Sequence, residues 1–553
     1  MNQATEANHC DALVIGAGFA GMYQLHCLRE KLGLKVKVLE TGDGVGGTWY
    51  WNRYPGARCD TESHAYCFTF DEDLYLGWEW SERYPEQPEI MRYMNYAADK
   101  LDLKKDILFN TKVTSADWDE AGNRWVLKTL SGEQYSATYL ITAIGCLSAA
   151  NVPDIPGRDG FRGDWYHTGA WPHDGVDFTG KRVGLIGTGS TGVQATPVIA
   201  AQAGHLTVFQ RTPNYSVPAR NKPLSAAFKQ EVRETAREIR FNMHQSTSGH
   251  PWGPEPRLAM ETAPEERERI YQEAWDRGGL QFRASFQDIM ADIAANETAA
   301  DFVTRKIRDV VKDPETARKL TAFDHGYATK RPIIDSHYFE TFNRGNVSLV
   351  DVKAAPIEAI TADGIVTADG AEHPLDIIIF ATGYDGVTGP LMRLNVTGRD
   401  GLSLNAFWKD GPRTYLGLQV AGFPNMFTIT GPGSPSVLTN MPVACEQHAE
   451  WITACIGHMR EQGSARVETD PATMEAWAEK VQEAAQATLL VTARSSWYLG
   501  ANVPGKPRVF LPYAGGMAKY RQICADVAAS GYDGLTFSTA GQAEGDGVQT
   551  APG

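Results

Sequence analysis

The stretch DALVIGAGFAGMYQLHCL, Asp11 to Leu28, passes from an apolar, strand-like run into Gly16-Ala17-Gly18-Phe19-Ala20-Gly21 and then into a helix-like run. A second stretch, KRVGLIGTGSTGVQATPVIA, Lys181 to Ala200, repeats that order with Gly187-Thr188-Gly189-Ser190-Thr191-Gly192. In such a turn the glycines let the backbone approach a pyrophosphate, whose charge is held at the helix N-terminus. A single G-x-G-x-x-G is a weak signal. Two, each between a strand and a helix, predict an α/β chain with two doubly wound, Rossmann-like dinucleotide-binding domains.

The residue ending the second strand of each unit, roughly 20 residues downstream of the glycines, should meet the adenosine ribose. In the first unit KVKVLE ends in Glu40, a carboxylate suited to two ribose hydroxyls. In the second, LTVFQRT places Arg211 at the same offset from its first glycine. A carboxylate repels a 2′-phosphate and a guanidinium binds one. The first site therefore reads as an FAD or NAD site and the second as an NADPH site, unless Arg211 is a plain surface arginine. Two sites of different preference suggest electrons passed from a nicotinamide to a flavin.

Two further runs, YLITAIGCLS and DIIIFATGYD, read as buried strands closing in small-residue turns at Thr142 to Gly145 and Ala381 to Gly383. Between the units the chain changes character: SAAFKQEVRETAREIRFNMHQ and ADFVTRKIRDVVK carry helical spacing, and DPETARKL offers Asp313 as an N-cap with Pro314 at the first helical position. Strand signals resume at NVSLVDV. The expected organisation is nested: a flavin unit over residues 10–150 and 385–540, with a mobile loop near 490–510. The NADP unit covers 151–223 and 331–384, a helical subdomain is inserted at 224–330, and a disordered tail follows at 541–553.

A chain of 553 residues exceeds what one core supports. Its net charge of -15 lacks the footprint of a general nucleic-acid binder. No secretory leader and no apolar run long enough to span a bilayer stands out, so a soluble, cytoplasmic protein without membrane partners is expected. The eight cysteines include no C-x-x-C pair, which argues against a disulfide framework, a metal site and a dithiol redox centre.

After the first unit comes GGTWYWNRYPGARCDTESHAY, Gly46 to Tyr66. Here the chain closely resembles the single-component, FAD- and NADPH-dependent Baeyer-Villiger monooxygenases, matching their pattern at Gly47, Trp49, Tyr54, Pro55, Gly56 and Asp60. The family fingerprint F-x-G-x-x-x-H-x-x-x-W-P falls on Phe161, Gly163, His167, Trp171 and Pro172. Related N- and S-oxidising flavin monooxygenases end that pattern differently.

The resemblance implies a ketone and O2 as substrates, an ester or lactone as product, and a flavin C4a-peroxide as the attacking species. It implies that Arg331 stabilises that species and the oxyanion after it, held by Asp60, a pair that would otherwise be an ordinary salt bridge. Cofactor contacts carry over to Gly47, Thr48, Trp49, Asp60, Tyr66 and Arg331. The 2′-phosphate would meet Arg211, Thr212 and Lys330, and the nicotinamide ribose would meet Trp497, whose plainer reading is a core aromatic. His167 and Trp171 would couple the domains, His167 serving equally well as a structural histidine satisfied by backbone. Ser436, Val437 and Leu438 would shape the substrate pocket, as in the phenylacetone, steroid and bulky cyclic ketone branch. A monomer or small homo-oligomer is expected. The alternatives are a flavin enzyme oxidising sulfur or nitrogen, and an NADPH oxidase or redox sensor without an organic substrate.

Overall fold

A computed structural model describes residues 8 to 539, so the tail expected at 541–553 lies outside the described residues. Its first sheet is built around His9–Ile15, which runs parallel between Val36–Leu39 and Gln134–Thr142. Ala12, Leu13 and Val14 are all buried, because both faces of the strand are covered, and this is why the segment reads as a continuous apolar run. Gln134–Thr142 changes partner along its length. Its early residues pair antiparallel with Arg124–Thr129, and Leu140 to Thr142 pair with Met426–Thr428. A strand from the last third of the chain thus completes the sheet that residue 9 begins.

The second sheet has five parallel strands in the order Val347–Asp351, His205–Gln210, Arg182–Ile186, Ile377–Phe380, Asp164–His167. Between His205–Gln210 and Val347–Asp351 the chain leaves the sheet to form Ala226–Gln245, Pro264–Arg277, Ile293–Val310 and Pro314–Leu320. Two of these helices begin as their sequences dictate. The Ser225 hydroxyl accepts from the Phe228 amide at 3.1 Å, and the Asp313 carboxylate accepts from the Thr316 amide at 2.8 Å. Pro314 then sits where its missing N–H has no helical partner to lose.

The fingerprint FRGDWYHTGAWP looks like a connector in sequence, yet Asp164–His167 is the edge strand of the second sheet, in register from Asp164 opposite Ile377 to His167 opposite Phe380. Its polar start and the 40% exposure of Trp165 erase the apolar signature of a parallel strand. Gly163 is required there, since a Cβ would sit 2.2 Å from the Asp376 carbonyl oxygen.

One buried carboxylate gives the fold a pH signature. Glu446, on Met441–Glu461, is 2% exposed and accepts hydrogen bonds from the Thr69 amide and hydroxyl. His244 lies 3.9 Å away, and Glu450, Arg521, Tyr23, Cys67, Tyr93 and Cys445 also interact with Glu446 electrostatically. Burial raises the Glu446 carboxyl to about 7, above its ordinary 4.5, so the folded state holds a proton that the unfolded chain releases. Stability from this group is complete below the unfolded value and is lost as pH rises through about 7. Glu446→Gln should therefore gain on the wild type by roughly 2 kcal/mol between pH 5 and pH 8. Melting temperatures at the two pH values check this; a constant difference contradicts it.

Candidate active site

The two glycine loops are crowded in the same way. A Cβ at Gly21 would lie 1.8 Å from the Gly16 carbonyl oxygen, and one at Gly192 would lie 2.1 Å from that of Gly187. Gly16 and Gly187 in turn press on the carbonyls of Ala143 and Ala381, at the ends of the two small-residue strands. The helices that follow, Phe19–Leu32 and Ser190–Gln202, start without a side-chain cap, which leaves their first amides for an anion. Gly18 packs against Gly47, whereas Gly189 faces open space. Both cradles fit a dinucleotide pyrophosphate.

The strand-end residues differ as their charges require. Glu40 is buried, and its two carboxylate oxygens accept from the Ala17 and Gly42 amides, each at 2.7 Å. Burial raises its pKa and these backbone bonds oppose the rise; the lone pairs left over can still accept from ribose hydroxyls. Arg211 is exposed and makes no hydrogen bond or ion pair among the described residues. Beside it stands Lys330, its ammonium 3.5 Å from Asp324. Burial, aided by Arg211 and Lys353, lowers the Lys330 pKa, while Asp324 opposes the shift. The Thr212 carbonyl accepts from the Thr188 hydroxyl at 2.9 Å, tying this corner to the second glycine loop.

Beside the first glycine loop, Thr48–Trp51 forms a short helix directly after Gly47. The Trp49 indole donates to the Tyr66 hydroxyl at 3.0 Å, and both side chains pack into the core around Phe19. Asp60, on the loop between them, receives Arg331 in a two-pronged grip. The Nε and Nη2 groups of Arg331 each donate to one Asp60 oxygen at 2.9 Å, while Nη1 donates to the Val437 carbonyl at 2.9 Å. Burial works against the charged guanidinium, but Asp60 outweighs it and holds the pKa above its ordinary value. With the Arg331 side chain 32% exposed, part of the fork faces the cleft.

His167 closes the edge strand with its ring buried. Its Nδ1 accepts from the Gly169 amide at 3.0 Å, and the ring also lies beside the Gly383 backbone. Burial lowers its pKa, so the ring is neutral. It packs edge-on against Tyr384 at 5.9 Å between ring centres, and the Tyr384 hydroxyl donates to Asn52, the C-cap of Thr48–Trp51. A second tie runs from the Tyr54 hydroxyl to Gln194 at 2.7 Å, joining the Asp60 loop to the second glycine-loop helix. Trp171 lies in the core beneath the second sheet, against Tyr166 and Phe178, and not in the cleft.

Opposite Asp60, Ser436–Leu438 forms a 3-10 turn with Ser436 at φ 44° and its hydroxyl on the Thr430 carbonyl at 3.1 Å. Trp497 opens a similar turn and packs on Gly386 and Tyr498. Leu280, Arg283, Arg331, Val437, Leu438 and Tyr498 line one cavity. The structure thus brings Arg331, Asp60, Val437 and Leu438 together, with Ser436 beneath them. Asn52, Tyr384, Gln194, Arg283 and Tyr498 went unseen in the sequence, because each matters only through surroundings that distant parts of the chain supply.

Residues 10–250 match the family described as pyridine nucleotide-disulphide oxidoreductase. All eight cysteines are buried and unpaired, so the match concerns the nucleotide-binding scaffold and not a dithiol. A phenazine N-monooxygenase from Lysobacter antibioticus is 44% identical over 532 residues, which is 96% of this chain and 97% of its own. A Baeyer-Villiger monooxygenase from Pseudooceanicola batsensis is 45% identical over 537 residues, 97% of either chain. Among solved structures, an oxidised steroid monooxygenase bound to NADP is 49% identical, with a TM-score of 0.91 over 96% of this chain and 99% of that one.

Proposed function

Since this chain belongs to the type I Baeyer-Villiger monooxygenases, we propose that the Arg331 guanidinium, held by Asp60, is the fixed cation of its oxygen-insertion site. The reaction consumes a ketone, O2, NADPH and a proton and yields an ester or lactone, NADP+ and water. FAD, held by the first glycine loop, Glu40 and the Gly47 to Tyr66 segment, supplies electron transfer from NADPH and activation of dioxygen. The second loop with Arg211, Thr212 and Lys330 holds NADPH, and Trp497 covers its nicotinamide ribose.

Arg331 has five N–H groups, of which Asp60 and the Val437 carbonyl take three, leaving two that face the Tyr498 hydroxyl and the cavity where the reacting oxygens would lie. A guanidinium stays charged at any working pH, so it stabilises negative charge as the tetrahedral adduct forms and costs no reorganisation when it does so. Val437, Leu438 and Tyr498 keep water from that charge. His167 acts on the relative seating of the two units, through Tyr384 and Asn52, and moves no proton in the reaction.

The likeness to a steroid monooxygenase, with Val437 and Leu438 on the cavity wall, supports a bulky aromatic or cyclic ketone. With isotopically labelled dioxygen, such a ketone should give an ester carrying one labelled atom. No labelled ester overturns the assignment, and equal turnover of small linear ketones overturns the size preference. The likeness to a phenazine N-monooxygenase favours a second reading, oxygen transfer to an aromatic ring nitrogen. An N-oxide formed faster than any ester, from compounds carrying both groups, would put that reaction first.

A further inference from the structure

The cavity beside Arg331 contains a second guanidinium that ketone oxygenation does not require. Arg283, on the 3-10 turn Leu280–Ala284, lines the same cavity and makes no hydrogen bond or ion pair among the described residues. The turn is anchored from behind. Arg83, itself paired with Glu62 at 2.8 Å, donates to the Arg277 carbonyl at 2.6 Å just before the turn begins. Arg283 is therefore carried on a fixed element and not on a free surface loop.

The charge around it does not balance. Arg331 is paired with Asp60, which reaches Arg283 only as a more distant charge, and among the described residues no carboxylate forms an ion pair with Arg283. His250, against the same wall, cannot share the load. Burial, with Arg283 and Arg331 adding to it, pulls its pKa down to about 3 and keeps the ring neutral. Burial and the neighbouring Arg331 disfavour a charge on Arg283 more than Tyr498, Tyr327 and Asp60 favour it, yet an arginine does not shed its proton at working pH. A part-buried cation so placed is costly until an anion reaches it. The rest of the wall, Leu280, Pro332, Val437, Leu438, Thr439 and Tyr498, adds apolar side chains that a carbon skeleton can meet.

We propose that the substrate is a bulky ketone bearing a carboxylate, whose apolar body fills the pocket and whose carboxylate pairs with Arg283 while its carbonyl faces Arg331. The inference rests on the ketone monooxygenase reading and adds the substrate's charge to it. An Arg-carboxylate pair is frequently two-pronged, so Arg283 would also orient the ketone.

The test compares 4-(2-oxopropyl)benzoate with its neutral carboxamide and methyl ester, using the FAD-loaded enzyme and NADPH. Wild-type kcat/KM for the acid should exceed that for the amide by about ten- to a hundredfold, the worth of a hydrogen bond to a charged group. In Arg283→Met that ratio should collapse towards one, and Arg283→Lys, which keeps the charge and loses the fork, should recover part of it. A wild-type ratio at or below one overturns the proposal whether or not the variants fold. So does a loss in Arg283→Met that falls on the KM for NADPH and leaves the ratio unmoved, which would assign Arg283 to the nucleotide. Turnover of the amide and ester without preference for the acid sinks this inference alone, whereas absence of ester product from all three compounds overturns the monooxygenase reading with it.

Discussion

Arg331→Ala is expected to lower ester formation by about a hundredfold or more while NADPH continues to be consumed, its electrons leaving as hydrogen peroxide. One donor aimed at developing charge in a water-poor cleft contributes roughly 3 kcal/mol to catalysis, which sets the size of the loss. Its direction follows from the geometry. In the proposed site NADPH would be held at the Arg211 and Lys330 corner, so flavin reduction should not depend on the Arg331 fork. Oxygen insertion does, because Asp60 and the Val437 carbonyl fix that fork over the cleft. Arg331→Lys should rescue little, since an ammonium cannot grip both Asp60 oxygens and still present two donors. Ester, peroxide and NADPH measured in one reaction mixture decide it: an unchanged ester yield in Arg331→Ala refutes the role given to the arginine.

The nucleotide scaffold was legible because its constraints are local. Gly21 and Gly192 each touch a carbonyl a few residues away, and Glu40 and Arg211 follow at a fixed offset, so one stretch of chain contains the whole signal. Arg331 and Asp60 are 271 positions apart, and nothing local marks them as partners. They became readable only through the resemblance to a family in which the same residue types recur. The edge strand Asp164–His167 escaped notice for another reason. An edge strand is covered on fewer sides, so it tolerates Asp164 and an exposed Trp165 and loses the pattern that betrays its neighbours. Arg283 was the least visible of all. In sequence it is one arginine in a helical insertion, and only the absence of a partner within a shared cavity sets it apart.

Arg211→Ala is expected to cut kcat/KM for NADPH by about ten- to a hundredfold and to leave that for NADH nearly unchanged, so that the preference for the phosphorylated coenzyme disappears. The strand-end position explains the selectivity, since only the 2′-phosphate distinguishes the two coenzymes there. Lys330→Ala should act in the same direction, but the two losses should not add in full, because in the proposed site both cations would meet one phosphate. Salt separates them: Arg211 is exposed and its contribution should fade as ionic strength rises, whereas Lys330, with its side chain 16% exposed, is screened less. Asp324 gives a test of opposite sign. Its carboxylate lies 3.5 Å from the Lys330 ammonium and 3.7 Å from that of Lys353, where it repels an incoming phosphate. Asp324→Asn should therefore lower the KM for NADPH. If Arg211→Ala leaves the coenzyme preference intact while Lys330→Ala abolishes it, the phosphate is held from the Lys330 side alone and Arg211 is the surface arginine that its sequence also allowed.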